Sequence, residues 1–100
     1  MTAPFKLRFT KEAHQRLEEM KAQKEHLGRL RKVRNTLARL QADPRHPGLQ
    51  SHKYVSMKGA AGQPIWDSYV ENNTPSAWRI FWHYGPSDGE ITIVTIGPHP

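Results

Sequence analysis

Between Ala77 and Pro100 the chain reads as two extended runs around one turn, and that pattern leaves few folds open. The first run is Trp78-Arg79-Ile80-Phe81-Trp82-His83-Tyr84 and the second is Glu90-Ile91-Thr92-Ile93-Val94-Thr95-Ile96. Gly85-Pro86-Ser87-Asp88-Gly89 stands between them. Aromatic and β-branched runs around a Gly- and Pro-bounded turn predict a β-hairpin. Side chains alternate across a strand, so Trp78, Ile80, Trp82 and Tyr84 share one face and Arg79, Phe81 and His83 the other. A guanidinium and an imidazole thus stand on one side of a strand, and a second imidazole, His99, follows the end of its partner.

The residues before the hairpin supply its cover. Phe5, Leu7 and Phe9 alternate with Lys6 and Arg8, which predicts a short strand. Thr10 suits a helix N-cap, with Glu12 in the favourable first turn. Ala13, Leu17 and Met20 then predict a helix from residue 11 to about 24. Leu27, Leu30, Val33, Leu37 and Leu40 make a second stripe, a helix over about 27 to 42, with Gly28 in or near the connection. Pro44 disfavours helical geometry at Asp43 and ends it. Residues 43 to 63 read as an irregular loop pinned by Leu49, Tyr54 and Val55. Residues 65 to 70 form a further extended run, and Asn72-Asn73-Thr74-Pro75 turns the chain into the hairpin. The order is β-α-α-β-β-β, an α+β domain with a helical hairpin on one sheet face. Trp66, Trp78 and Trp82 could stack on bases, but at least two of the three are expected in the core.

One hundred residues make a single domain, 1–100, with a modest core. The net charge of +6 is uneven: the first fifty residues carry +7 and the last fifty −1. A polyanionic partner is therefore plausible, met by the helical half. Arg29, Arg31, Lys32, Arg34 and Arg39 have no acidic neighbour between positions 26 and 42, and Arg45, His52 and Lys53 extend the cationic set. They can follow phosphates, dock an acidic segment, or simply form a solvated face. There is no cysteine, which excludes disulfides, thiolate metal sites and thiol catalysis. His46 and His52 match no metal spacing, so neither metal nor cofactor is expected. No segment is long and apolar enough for a signal peptide or a membrane span, so the expectation is a soluble cytoplasmic protein with no membrane partner.

Arg79 can grip a phosphate with its planar fork, or be a structural arginine stacked on Trp and paired with Asp67 or Glu71. His83 and His99 can exchange protons near neutrality, or be ordinary hydrogen-bonded side chains. Cleavage of RNA by its own 2′-hydroxyl asks for a proton acceptor, a proton donor and a cation on the phosphate. Arg79 with one or both histidines can supply them.

The combination resembles the RelE/ParE superfamily of toxins from type II toxin–antitoxin systems. The likeness rests on Phe9-Thr10-Lys11-Glu12-Ala13 leading to Leu17, on Trp78-Arg79-Ile80-Phe81-Trp82, and on Glu90 to Ile96 followed by Gly97-Pro98-His99. The resemblance implies a small, mainly antiparallel sheet with the helical hairpin on one face. It implies a toxin acting as a metal-independent, ribosome-dependent mRNA endonuclease, with mRNA, the ribosome and a cognate antitoxin as partners. On the RelE/YafQ-like pattern Arg79 and His99 fall at catalytic positions, with His83 assisting. Where RelE-like enzymes usually have lysines, the preceding run holds Asp67, Ser68 and Glu71. The alternatives are a non-enzymatic ParE-type toxin that binds a protein such as gyrase, and a RelE-like nucleic-acid- or protein-binding module.

Overall fold

A computed structural model describes residues 4–72 and 76–98. Strand β1 (Lys6–Phe9) runs into helix α1 (Lys11–Ala22), one 3₁₀ turn (Lys24–His26), and helix α2 (Leu27–Ala42). A second 3₁₀ turn (Pro47–Leu49) leads to strands β2 (His52–Lys58), β3 (Pro64–Tyr69), β4 (Trp78–Tyr84) and β5 (Glu90–Pro98). The sheet order is β1-β5-β4-β3-β2. β1 pairs with β5 in parallel and every other pair is antiparallel. The α+β architecture with a helical hairpin on one face is the expected one.

The helices form where the apolar stripes put them. Thr10 caps α1 through its hydroxyl, which accepts from Ala13 N–H at 3.1 Å and donates to the Val94 carbonyl at 2.6 Å. α1 ends two residues before its expected limit, and Gly28 lies in the first turn of α2. Asp43 is extended (φ −159°, ψ 91°), as the following proline requires. Ala13, Met20, Leu30, Val33, Leu37 and Leu40 meet Ile80, Trp82, Ile91, Ile93 and Ile96 of the sheet in one core. Trp82 is sealed in it, and Trp66 and Trp78 pack against it partly buried. Each fully buried Leu or Ile side chain contributes about 1.5–3 kcal/mol to folding.

The core positions of β5 break simple alternation. Ile91 and Ile93 are two apart, but the next is Ile96. The register explains it, because Phe81 pairs with Thr95 and Trp82 with Ile93, so Val94 is an extra residue. This bulge resets the side-chain parity and keeps three isoleucines on the helix face. The bulged Val94 carbonyl is the one that Thr10 holds.

The stretch expected to be an irregular loop contains a strand. β2 pairs antiparallel with β3 as the outer edge of the sheet, with a register shift between Lys53 and Lys58. The order is therefore β-α-α-β-β-β-β. Leu49 is buried as expected, Tyr54 packs edge-on against Phe81 at 5.2 Å, and Val55 is 83% exposed and pins nothing. The turn expected at residues 72–75 lies mostly outside the described residues, as do His99 and Pro100. Gly85 (φ 97°) and Gly89 (φ 77°) bound the hairpin turn in backbone geometry that L side chains rarely adopt. Among the described residues no helix is long and apolar enough to cross a membrane.

Candidate active site

The sheet face away from the helices is built by register. On β3, Asp67 and Tyr69 alternate with the core-facing Trp66 and Ser68. Asp67 stands opposite Phe81 of β4 on one side and His52 of β2 on the other, and Tyr69 stands opposite Arg79. Cross-strand neighbours of this kind have Cβ atoms about 4.5–5.5 Å apart, close enough for their side chains to meet.

They do meet. The Arg79 guanidinium carbon lies 3.6 Å from the centroid of the Tyr69 ring, a cation–π stack that holds the group flat. Arg79 Nε is 3.5 Å from Asp67 Oδ1, and His52 Nε2 is 3.2 Å from Asp67 Oδ2. Asp67 is completely buried, so two positively charged or chargeable groups face one carboxylate out of water. Burying a carboxylate is costly without such partners. Arg79 Nε and Nη1 are buried and make no hydrogen bond among the described residues. The Arg79 side chain keeps 12% of its surface open and that of His52 keeps 51%.

The chain entering β2 orients His52. Gln50 takes the left-handed conformation (φ 47°, ψ 43°) after the second 3₁₀ turn. Its carbonyl lies 3.1 Å from His52 Nδ1. A carbonyl only accepts, so Nδ1 is the donor there. Nε2 then faces Asp67, and a doubly protonated ring donates to both. The ring edge meets Tyr69 at 6.1 Å. The arrangement can hold an anion against a flat cation and pass it a proton from an exposed imidazole.

The expected site residues separate into groups. Arg79 and His52 come together through Asp67. His83 shares the strand face, but four residues of strand rise place it about 13 Å from Arg79. It is 6% exposed, its Nδ1 is 2.8 Å from the Tyr84 carbonyl, and it lines a separate niche with Arg8, Thr10 and Gln63. His99 lies outside the described residues. The last described residue of β5, Pro98, is opposite Trp78.

The cations of α2 belong to the other layer. Arg29 is bonded to Glu71 at 3.1 Å and lies 4.8 Å over Trp78, and Lys32 is 4.0 Å from the same carboxylate. Partial burial pulls the Glu71 carboxyl upward, but Arg29, the Trp78 N–H and Lys32 outweigh it and hold it below its ordinary value. The acidic partner that α2 lacks in sequence is thus supplied from beyond β3. Arg31, Arg34, Arg39 and Arg45 are exposed, and Lys53 lies 5.8 Å over Trp66. Among the described residues no three His, Asp or Glu side chains gather as a metal site.

Asp67 entered the sequence reading only as a possible partner of Arg79, and Tyr69 did not enter it. The Arg79 pairing was visible in residue type, but the stack on Tyr69 depends on cross-strand register.

No protein-family model matches the chain, and no curated protein matches it. Solved structures do. A YoeB/ParE toxin from Agrobacterium tumefaciens superposes with a TM-score of 0.69 at 14% identity, over 95% of this chain and 99% of that one. RelE in the archaeal RelE–RelB complex from Pyrococcus horikoshii gives 0.64 at 14% identity, over 95% and 94%. YafQ from E. coli gives 0.57 at 12% identity, over 95% and 93%. The likeness spans nearly the whole of each chain, and the architecture of this protein is the fold shared by the RelE, ParE, YoeB and YafQ toxins.

Proposed function

We propose that the protein is the toxin of a toxin–antitoxin pair and cleaves mRNA on the ribosome, with the RNA's own 2′-hydroxyl as nucleophile. The observation that carries this reading is the Arg79–Asp67–His52 cluster on the sheet face free of helices. Arg79 grips the scissile phosphate and offsets the charge that grows on its oxygens. The 2′-oxygen attacks phosphorus, giving a 2′,3′-cyclic phosphate, and the bond to the 5′-oxygen breaks. His52, protonated and held by Asp67, donates a proton to that leaving oxygen. His99 takes the proton of the 2′-hydroxyl. Asp67 is a positioning residue that aligns both cations. His83, at the far end of the strand face, serves binding beyond the scissile phosphate. The exposed cations Arg31, Arg34 and Arg39 suit an acidic antitoxin segment on the helical layer.

A second reading has one observation in its favour. Arg79 is mostly buried and already faces a carboxylate, as a structural arginine would be. A ParE-type toxin that binds a protein such as gyrase would need no more from it. Arg79→Lys and His52→Gln separate the readings, because both keep the fold's polarity. Cleavage mapped on ribosome-bound and free RNA should fall about 100-fold or more in Arg79→Lys, as expected when a planar charge clamp is lost. Growth arrest should fall with it. Growth arrest that persists in both variants, with no RNA cut, supports the protein-binding toxin instead.

A further inference from the structure

Among the described residues a cleft lies on the other side of the sheet, beyond the C-terminal end of α2, and the proposed nuclease chemistry does not use it. It holds about 570 Å³, within the range of about 300–1,000 Å³ typical of small-molecule sites. Residues 44–51 form one wall and the ends of β3 and β4 the other.

The walls have distinct chemistry. Trp66 and Tyr84 supply aromatic surface, backed by Trp82, whose ring is stacked with Trp66 at 6.0 Å and met edge-on by Tyr84 at 5.0 Å. Trp82 is fixed by donating its indole N–H to Ser68 at 2.7 Å. The opposite wall carries donors. Arg45 is exposed there. His46 Nδ1 accepts from Gly48 N–H at 2.9 Å, so a neutral ring carries its proton on Nε2 and presents it as a donor. Burial raises the Tyr84 phenol above its ordinary value, against the opposing charge of Arg45, so it also remains a donor. The nearby carboxylate, Asp43, is turned onto its own loop, where Oδ1 accepts from Arg45 N–H at 3.0 Å. The left-handed Gln50 closes this wall, and strained backbone of this kind persists where the surrounding structure holds it.

We propose that this cleft binds a single nucleotide, its base against the Trp66 and Tyr84 rings and its phosphate on Arg45 and His46. Flat aromatic walls select a planar ring, and every base offers one. A guanidinium fork beside an imidazole N–H selects the phosphate. The site opens on the other side of the sheet from Arg79, meets the nuclease cluster only through Gln50, whose carbonyl holds His52, and does not depend on the nuclease reading.

The test is titration of the full-length protein with adenosine 5′-monophosphate, adenosine and inorganic phosphate, followed by tryptophan fluorescence and calorimetry. The nucleotide should bind and perturb tryptophan emission, with adenosine and phosphate each about tenfold weaker or worse, since each makes only half of the contacts. Arg45→Glu alters an exposed side chain and should leave the thermal midpoint nearly unchanged, whereas Tyr84→Ala also removes a ring packed on Trp82 and should lower the midpoint while the protein stays folded at the temperature of the titration. Each should weaken the nucleotide about tenfold, the loss of one charge-assisted or stacking contact. Arg79→Lys should bind it as the parent does. Phosphate binding as tightly as the nucleotide would overturn the proposal, and so would Arg45→Glu and Tyr84→Ala binding undiminished. Loss of nucleotide in Arg79→Lys alone would move the ligand to the nuclease site and end the proposal. An acidic peptide that binds where the nucleotide does not would also end it, in favour of a protein ligand.

Discussion

Asp67 has no exposed surface, yet it stands between a guanidinium and an imidazole. Two strands deliver those partners and a third carries the acid, so the residue couples β2, β3 and β4 electrostatically. Asp67→Asn keeps the shape and removes the charge. It should destabilise the fold by about 3 kcal/mol, because removal of one partner leaves a buried cation uncompensated. Adding Arg79→Met to that variant should recover part of the loss, since the stranded charge goes with it. Urea unfolding of the two single variants and the double variant measures this, and strictly additive losses would mean that the two groups do not interact. Arg79 was readable from residue type and strand parity, and Asp67 only as one of two acids that could pair with it. His52 was readable as a cation, but not as a neighbour of Asp67. Contact across two strands depends on register, and the residues between them do not encode it locally.

At the scale of elements, the α1 N-cap and the β5 bulge form one device. The Thr10 hydroxyl donates to the carbonyl that the bulge frees and accepts from the first turn of the helix. Thr10→Ala should cost about 2 kcal/mol, a cap lost together with a partner for a part-buried carbonyl. Thr10→Ser keeps the hydroxyl and should cost much less. Thermal or urea unfolding of the pair gives the comparison, and equal losses would assign the effect to the methyl group. Both helices were legible because their stripes at three and four are regular and, apart from Leu27, which is 50% exposed, face one core. β2 was not legible. Its partly buried residues, Tyr54 and Met57, are three apart around a register shift, and Val55 between them faces solvent, so neither a strand nor a helix period emerges.

At the scale of the molecule, Glu71 joins the two layers. It accepts from Arg29 of α2 and from the backbone N–H of Trp78 in β4. Its folded-state pKa lies below the ordinary 4.5, so the unfolded chain takes up the proton more readily. The stabilisation it gives is therefore complete above about pH 4.5 and fades as pH falls through the lower folded value. Glu71→Gln should lower stability at neutral pH by about 1 kcal/mol and flatten the acid limb of the stability curve. Unfolding followed from pH 7 to pH 3 checks it, and an acid limb parallel to that of the parent would remove Glu71 from the account. Local sequence made α2 look uncompensated because its acid comes from the segment after β3, far away along the chain. The same distance hid the strand order, in which the first strand lies beside the last. Lys6 is matched with Glu90 and Phe9 with Ile93, and among the described residues β1 pairs with no other strand. A growing polypeptide therefore releases β1 long before β5, the strand it joins. Such far-separated contacts form slowly. The sheet closes only once β5 has followed β4, and until then β1 has no partner and the core lacks Ile91, Ile93 and Ile96.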